Sequence, residues 1–267
     1  MEINRSNINE LVNKCNVKPD KDYGQNFLIE PLLAEKIVDS LSLNQDDHVL
    51  EIGPGLGSLT HFLVNKANLD VCDIDSRMID FLKIFYKEDI NYILNDVRKI
   101  DVKKYNKIIG NLPYNITTEL VTFLLIESNA TNMTLMCQSE AFNRFFDLSG
   151  ENYGPVSVLL HLLGESKKVL TVKPGSFYPS PKCNSLVFTF VRDEKCDKEV
   201  AINVYKMCKS LFLNRRKTIY NNLKNYLKDT DLINQILSEL SIDINTRPDT
   251  ISPENYLNMY KLIIKNK

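Results

Sequence analysis

The stretch that decides the fold is Val49-Leu-Glu-Ile-Gly-Pro-Gly-Leu-Gly57. It begins as a short apolar run and ends in three glycines that alternate with other residues. Glycine lets the backbone turn tightly and come close to a ligand, because no Cβ intrudes. The backbone amides at the start of a following helix would then face that ligand. The stretch therefore predicts a strand, a ligand-binding turn and a helix.

The spacing of the glycines narrows the type of ligand. A dinucleotide-binding turn has the pattern Gly-x-Gly-x-x-Gly. Here Gly53, Gly55 and Gly57 follow the pattern Gly-x-Gly-x-Gly, and Glu51 stands two residues before the first glycine. This arrangement looks more like the first motif of enzymes that use S-adenosylmethionine.

Short apolar runs and amphipathic stretches alternate around the glycine turn, and we predict the following elements from them. The predicted strands are His48–Ile52, Leu69–Ile74, Asn91–Leu94, Lys107–Gly110 and Met133–Cys137. The predicted helices are Ser58–Lys66, Ser76–Tyr86, Thr117–Glu127, Ser139–Phe145 and Pro155–Leu163. Such alternation implies an α/β fold, a Rossmann-like parallel sheet with helices on both faces. Two later runs, Lys168–Val172 and Ser185–Val191, are close enough in sequence to pair antiparallel at one sheet edge.

The pattern after Arg192 is helical only, which predicts a small all-helical C-terminal domain. The predicted helices are Val200–Leu213, Lys217–Lys228, Leu232–Leu240 and Pro253–Ile264. A charged, poorly periodic stretch at 193–197 marks the boundary, so the predicted domains are 1–194 and 195–267. Residues 192–267 contain 14 Lys and Arg against 10 Asp and Glu, whereas the whole chain has a formal net charge of −1. This basic surplus fits an RNA contact surface or simply a solvated helical surface.

Composition excludes several classes of protein. The chain is 43% hydrophobic and 25% charged, as in ordinary globular proteins. It has no apolar run long enough to cross a membrane, and its polar first twenty residues do not resemble a secretory signal. The six cysteines are scattered and the three histidines lack ligand spacing, so we expect no metal site and no disulfide framework. These features lead us to expect a cytoplasmic protein.

Carboxylates stand at the ends of the next two predicted strands. Asp73 lies twenty residues after Gly53, where a doubly wound nucleoside site has an acceptor for the ribose hydroxyls. Asp96 ends the third strand and could accept a hydrogen bond from the adenine amino group of a bound cofactor. Each aspartate alone is also an ordinary turn residue, but the two at successive strand ends after a glycine turn favour a cofactor site.

The fourth predicted strand ends in Asn111-Leu-Pro-Tyr114, and we predict that the reaction takes place here. An exocyclic adenine nitrogen is a poor nucleophile, because its lone pair is delocalised into the ring. The side-chain oxygen of Asn111 and the carbonyl of Leu112 could accept its two hydrogens and aim the lone pair at a methyl donor. Pro113 would fix the direction of that carbonyl. Tyr114 offers a face for an extruded base to stack on, worth roughly 1–3 kcal/mol.

Together these motifs resemble the small-subunit ribosomal RNA adenine N6,N6-dimethyltransferases over nearly the whole chain. The segments that carry the resemblance are Tyr23–Leu28, Glu51–Thr60, Asp73, Asp96, Asn111–Thr117, Gln138–Glu140 with Arg144, Tyr153–Val158, Gly175–Ser185 and Phe212–Thr218. Leucine before Pro113 is similar to the small-subunit branch rather than to the macrolide-resistance branch. Asp73 stands where the family more often has glutamate, and Ser139 where it usually has lysine.

The resemblance implies roles for further residues. Gln25, Asn26 and Leu28 would lie against the methionine part of S-adenosylmethionine. Phe177 would close over the target adenine on the side opposite Tyr114. Arg144, Lys182 and the basic run Arg215-Arg216-Lys217 would contact RNA. The partner would be ribosomal RNA within a small-subunit precursor. The enzyme would be a monomer without a metal, and it would methylate two adjacent adenosines near the 3′ end of that RNA.

Three other functions remain open at this point. The chain could methylate large-subunit RNA and confer macrolide resistance. It could methylate adenine in DNA, although no long target-recognition domain is evident. It could also be a non-enzymatic ribosome-assembly or transcription factor on the same fold, although such a factor would not need both the glycine turn and Asn111-Leu-Pro-Tyr114.

Overall fold

The structure is a computed structural model that describes residues 1–20, 24–86, 90–193 and 195–266. Its helices are α1 (Ile8–Lys14), α2 (Pro31–Asp39), α3 (Thr60–Leu63), α4 (Ser76–Tyr86), α5 (Thr117–Glu127), α6 (Ser139–Phe146), α7 (Pro155–Leu163), α8 (Lys198–Leu211), α9 (Ile219–Leu227), α10 (Thr230–Glu239) and α11 (Pro253–Lys265). Its strands are β1 (Phe27–Leu28), β2 (His48–Ile52), β3 (Asn68–Asp73), β4 (Asn91–Leu94), β5 (Lys107–Asn111), β6 (Asn132–Gln138), β7 (Gly164–Val172), β8 (Phe177–Tyr178) and β9 (Ser185–Arg192).

Within the described ranges, seven strands form the main sheet in the order β4-β3-β2-β5-β6-β9-β7. The strands β4, β3, β2, β5 and β6 are parallel, and β9 runs antiparallel to β6. Strand β7 lies beside β9 at the edge, as predicted for that pair. Strands β2 and β5 are buried over nearly their whole length, which is typical of a parallel sheet covered on both faces. The predicted α/β fold is confirmed.

The strand order changes direction between β2 and β5. The chain proceeds outward from β2 to β3 and β4, then crosses back so that β5 pairs with the other side of β2. Crevices at such a switch point, beyond the carboxyl ends of the strands, are where α/β sheets bind ligands. The two strands approach very closely here, since a Cβ on Gly110 would lie 2.6 Å from the carbonyl oxygen of Ile52. Only glycine fits at that position without moving the backbone.

The chain divides into two compact units. One comprises residues 1–141 and 166–192, and the other 142–165 and 193–267. The sequence pattern placed residues 142–165 in the first domain; by packing they belong to the second unit, because α7 packs against α8 and α11. Glu194, where the predicted first domain ends, lies outside the described residues. The predicted domains, 1–194 and 195–267, therefore stay a prediction.

The helices of the second unit begin at residues whose side chains cap them. Asp197 accepts from two amides of α8, and Thr218, Asp229 and Ser252 each accept from an amide of α9, α10 and α11. Such caps satisfy amides that lack a partner within the helix, each worth about 1 kcal/mol.

The core of the second unit contains an aromatic group. The ring of Phe212 lies 5.7 Å from that of Tyr153 and 5.8 Å from that of Tyr256, centroid to centroid. Both tyrosine hydroxyls are buried but donate to carbonyl oxygens, of Ile251 and Pro248 respectively. These three aromatic rings therefore fill the core while the hydroxyls of Tyr153 and Tyr256 keep hydrogen-bond partners.

Some predicted elements differ from the observed ones. The helix predicted over Ser58–Lys66 is only the four residues of α3, because Val64 already leaves the helical conformation with a ψ of 134°, and Asn65 follows with a left-handed φ of 67°. The strand predicted from Lys168 begins at Gly164. Helices α1 and α2 and the small β1–β8 sheet were not predicted.

Candidate active site

A cleft opens at the carboxyl ends of β2, β3 and β5, at the switch point of the sheet. It is lined by Gly24, Gln25, Asn26, Phe27, Leu28, Glu51, Gly53, Pro54, Gly55, Leu56, Ser58, Leu59, Asp73, Ile74, Asn111, Leu112, Pro113, Tyr114 and Met136. Most of the predicted cofactor residues and four of the five predicted catalytic residues are among them.

The three glycines of the turn differ in what they do. Gly53 has a φ of 63°, and its amide donates to the carbonyl of Cys72, which ties the turn to β3. Gly55 has a φ of 54°, and a Cβ there would lie 2.9 Å from the ring of Phe27. Gly57 does not line the cleft; a Cβ there would lie 2.7 Å from Leu82. Gly57 therefore serves packing against α4, and its place among the cofactor contacts stays a prediction.

Glu51 is a buried carboxyl group beneath the glycine turn. The residue is among those that line the cleft, although it is only 1% exposed. Burial raises the pKa of Glu51 to about 8, against the hydrogen bond that its Oε2 accepts from Thr60 Oγ1 at 2.7 Å. Near neutral pH this carboxyl is therefore largely protonated in the absence of a nearby cation.

Asp73 ends β3 at the rim of the same cleft. Burial raises its pKa to about 6, against the hydrogen bond that its Oδ1 accepts from the amide of Asp75 at 2.9 Å. A ribose diol would offer further donors to this carboxylate. Its place at the strand end is as predicted, and its role toward a ribose stays a prediction.

Asn111, the last residue of β5, has its carboxamide divided between two environments. Its Nδ2 donates to the carbonyl oxygen of Asn26 at 3.0 Å. Its Oδ1 is buried and has no hydrogen-bond partner among the described residues. A buried acceptor without a donor is costly, so such atoms call for an explanation. Here the acceptor belongs to a residue that lines the cleft.

The next three residues, 112–114, form one wall of the cleft together with Asn111. The amide of Leu112 donates to the carbonyl of Met136 at 3.0 Å, which fixes the strand end to β6. The carbonyl of Pro113 accepts from the hydroxyl of Thr117, the first residue of α5. The hydroxyl of Tyr114 lies 2.8 Å from Ser185 Oγ, and burial raises the pKa of this phenol.

Residues 24–28 form the opposite wall. The side chain of Gln25 is engaged at both ends: its Oε1 accepts from the amide of Asp20, and its Nε2 donates to Asp75 at 2.9 Å. Asp75 also pairs with Arg77, at 2.6 Å. Gln25 therefore fastens this wall to the end of β3, besides lining the cleft. Tyr23, which opens the motif, lies outside the described residues.

Leu28 and Phe177 are linked by the small sheet. Leu28 on β1 pairs with Phe177 on β8, and the carbonyl of Leu28 accepts from the hydroxyl of Ser58. Phe177 is buried and does not line the cleft in this structure. Its predicted position over a target base stays a prediction.

Asp96 also lies outside the cleft lining. It caps the 3-10 turn Val97–Lys99, and its carboxylate forms a paired contact with the guanidinium of Arg98, closest at 2.6 Å. Hydrogen bonds from Arg98 lower the pKa of Asp96. Arg98 in turn contacts Glu119. To meet a cofactor amino group, as predicted, Asp96 would have to share its oxygens with this arginine.

The cleft fits the cofactor that the sequence motifs imply. The carboxyl groups of Glu51 and Asp73 suit a ligand that carries positive charge and a ribose. The unpartnered Oδ1 of Asn111 suits an incoming N–H donor. In the described ranges no group of three or more His, Cys, Asp or Glu has metal-site geometry, and no helix is long and apolar enough to span a membrane.

Comparison with known proteins agrees with this geometry. The family model for ribosomal RNA adenine dimethylase matches residues 3–265. The chain belongs to the ribosomal RNA adenine dimethylase family. It is therefore an RNA-modifying methyltransferase. Curated relatives of this dimethylase are also named as ribosomal RNA methyltransferases.

The "Ribosomal RNA small subunit methyltransferase A" of Malacoplasma penetrans is 40% identical to the present chain. The match covers 88% of the present chain and 89% of the Malacoplasma protein. The protein of the same name from Ureaplasma parvum is 32% identical over 98% and 99%. Among solved structures, a dimethyladenosine transferase from Plasmodium falciparum superposes with a TM-score of 0.78 at 24% identity, covering 90% and 98% of the two chains. The 23S rRNA methyltransferase ErmE gives 0.72 at 21% identity, covering 90% and 100%. The two structures support the fold.

The predicted RNA-binding residues of the dimethylase are in different situations. Lys182 in the first unit and Arg144, Arg216 and Lys217 in the second are exposed. Arg215 instead donates to the carbonyl of Gly150 at 2.9 Å, lies 3.8 Å from Asp249 and stacks over Phe212. Its guanidinium is used within the second unit, so it is less suited than its neighbours to bind phosphate.

Sequence reasoning missed two residues of the dimethylase that position others, Ser185 and Asn222, and it did not foresee that Asn26, predicted to lie against the cofactor, would hold Asn111. Ser185 contacts Tyr114, and the carbonyl of Asn26 accepts from Asn111. The buried side chain of Asn222 donates to carbonyls of the 214–218 turn, including that of Lys217. Ser185 ends a motif that is recognisable in the sequence, but nothing in its spacing pointed to Tyr114.

Proposed function

We propose that this dimethylase transfers methyl groups from S-adenosylmethionine to N6 of two adjacent adenosines near the 3′ end of small-subunit ribosomal RNA. The small-subunit names of the curated relatives support this substrate over the large-subunit and non-enzymatic alternatives. The proposed setting is the bacterial cytoplasm, where ribosomes are assembled, and the proposed state is a monomer.

One observation carries the proposal: the buried Oδ1 of Asn111 has no partner among the described residues, although its Nδ2 is held. The bond to Asn26 fixes the amide plane, so the free oxygen points in one set direction. An adenine amino group would give this oxygen the donor that it lacks. This explains why asparagine stands here rather than any turn-forming residue.

The chain's residues would hold both reactants. When bound, S-adenosylmethionine supplies a methyl group activated by its positive sulfonium. Asp73 would accept from the ribose hydroxyls, Glu51 would lie beneath the glycine turn as a carboxyl group that suits positive charge, and residues 24–28 would cover the methionine part. Asp96 would contact the adenine of the cofactor only by sharing its carboxylate with Arg98.

The target base would be placed by the wall opposite residues 24–28. The Oδ1 of Asn111 and the carbonyl of Leu112 would accept the two amino hydrogens and localise the nitrogen lone pair. Tyr114 would stack on the base, and Phe177 would cover its other face. The bond from nitrogen to the methyl carbon forms as the bond from carbon to sulfur breaks, and the nitrogen loses one proton to water. Positioning accounts for most of the rate in such a displacement.

A transfer assay with tritiated S-adenosylmethionine tests the proposal. Undermethylated small subunits, undermethylated large subunits and DNA are offered in parallel, with naked small-subunit RNA as a fourth substrate. We expect label in dimethyladenosine from the small subunit alone. Label confined to the large subunit would support the resistance enzyme, and cofactor binding without any label would support a non-enzymatic factor.

A further inference from the structure

The hydroxyl group of Tyr114 has no role in the proposed reaction, which uses only the face of the ring. That hydroxyl lies 2.8 Å from the hydroxyl of Ser185. Ser185 is fully buried as the first residue of β9, where it pairs with Gln138 on β6. The main sheet therefore fixes the position of the serine, and the serine in turn fixes the end of the tyrosine ring.

Both hydroxyl groups have strong reasons to keep this contact. Either oxygen can donate, and Ser185 is fully buried, so removal of the tyrosine hydroxyl would leave the serine hydroxyl buried without this partner. Burial raises the pKa of Tyr114, so the phenol keeps its proton at neutral pH. The hydroxyl is thus suited to hold the ring in place and unsuited to act as a base.

The segment that ends at Ser185 is itself anchored. The carbonyl of Asn184 accepts from the amide of Ser139 at 3.1 Å and from its hydroxyl at 2.8 Å, at the start of α6. The segment begins at Phe177, which pairs with Leu28 in the small sheet. Residues 177–185 therefore carry one of the two proposed stacking rings at one end and the hydroxyl partner of the other ring at the other end.

We propose that Ser185 is a positioning residue for the methyl transfer: it holds the Tyr114 ring at the angle at which the target adenine stacks. The proposal rests on the proposed function, since it assumes that a base enters beside Tyr114. It explains why the motif ends in tyrosine here: phenylalanine would offer the same stacking face but no group to hold.

The test is a double-mutant cycle on transfer to undermethylated small subunits, with Ser185→Ala, Tyr114→Phe and the double variant. Each single variant removes one half of the same hydrogen bond. We expect each to lower kcat about three- to tenfold, the double variant to lower it no further, and the Kd for S-adenosylmethionine by calorimetry to stay within about twofold. Ser185→Thr, which keeps the hydroxyl, should recover most of the activity.

Tyr256→Phe is the matched control, because it removes another buried tyrosine hydroxyl bond, in the second unit. It should lower the melting temperature by an amount similar to Tyr114→Phe and leave kcat unchanged. If Ser185→Ala proves unstable, Tyr114→Phe alone still decides. Wild-type kcat in Tyr114→Phe, with Asn111→Ala inactive, would overturn the positioning role and leave the proposed function intact. Wild-type enzyme that never labels small-subunit RNA would instead overturn the proposed function.

Discussion

At the residue scale, the site depends on side chains whose hydrogen-bonding groups have only some of their partners within the protein itself. The carboxamide of Asn111 has its Nδ2 held by the carbonyl of Asn26 and its Oδ1 left without a donor. A fixed donor end and a free acceptor end make one side chain a directed hydrogen-bond acceptor. Such preorganised groups need not rearrange when the substrate enters, which is where much catalytic free energy arises.

Asn111→Ala should abolish most of the transfer while the cofactor Kd changes little. Loss of one preorganised hydrogen-bonding group typically costs about 10²–10³ in kcat. Asn111→Asp is the informative companion, because it keeps an acceptor oxygen but, unlike Ala, places a negatively charged oxygen against the carbonyl of Asn26, where the Nδ2 of Asn111 donates. We expect it to be impaired in both kcat and cofactor binding. Should Asn111→Ala lose cofactor affinity as strongly as activity, the role assigned to Oδ1 would be wrong.

The buried Glu51 makes stability depend on pH. Its pKa is about 8 in the folded protein and near the ordinary 4.5 when unfolded, so between these values the folded state binds the extra proton. Its contribution to stability is complete below pH 4.5 and is lost as pH rises through 8, at about 1.4 kcal/mol per pKa unit. Asp73, with a pKa of about 6, acts in the same direction over a lower range.

Glu51→Gln should therefore flatten the fall in melting temperature between pH 5.5 and 8.5. Glutamine mimics the protonated carboxyl and still accepts from Thr60. Added S-adenosylmethionine should raise the melting temperature of the wild type more at pH 8 than at pH 6, because a cation favours the ionised carboxylate. Glu35→Gln, an exposed change on α2, is the charge-matched control. Parallel curves for wild type and Glu51→Gln would rule the linkage out.

At the scale of elements, the sequence predicts what local pattern determines. The bounds of β2, α4, α5 and α7 agree with the prediction, because each is a clear apolar or amphipathic run. The helix after the glycine turn was predicted too long, since nothing in the apolar pattern reveals that Val64 leaves the helical conformation and that Asn65 is left-handed. The site followed the same rule: glycines and strand-end residues were found, whereas the contacts of Ser185 with Tyr114 and of Asn26 with Asn111 join positions 71 and 85 residues apart.

The glycine turn offers a prediction at this scale. Gly55→Ala adds a Cβ at a left-handed φ and places it 2.9 Å from the ring of Phe27, which lines the cleft. Left-handed strain costs about 1–3 kcal/mol, and displacing Phe27 should raise the cofactor Kd about tenfold or more. Isothermal titration with S-adenosylmethionine measures the Kd, and thermal melting measures the strain.

Gly150→Ala separates the two effects. Gly150 also has a left-handed φ, 83°, but nothing lies within 4 Å of a Cβ built there. This control should lose stability without any change in cofactor Kd. Equal effects of both variants on the Kd would mean that the contact between Gly55 and Phe27 does not shape the cofactor site.

At the scale of the whole molecule, the second unit is the expected RNA-binding part, and its contacts sort the basic residues. The turn at 214–218 is held from within by the buried Asn222, and Arg215 is engaged by Gly150 and Asp249. Arg216 and Lys217 are exposed on that turn, close in sequence to Leu213, which is 80% exposed. Composition alone could not separate Arg215 from its neighbours, because the three stand side by side in the sequence.

The double variant Arg216→Ala/Lys217→Ala should weaken RNA binding and flatten its salt dependence. For each phosphate that the protein no longer neutralises, the slope of log K against log salt should become shallower by about 0.7–0.9. Lys261→Ala/Lys265→Ala removes the same charge from α11 and is the matched control, expected to change the slope little. Arg215→Ala should chiefly lower the melting temperature, because it removes hydrogen bonds inside the unit. If both double variants make the salt slope shallower by the same amount, net charge rather than this turn binds RNA. If Arg215→Ala is stable and its salt slope is shallower, Arg215 belongs to the RNA surface.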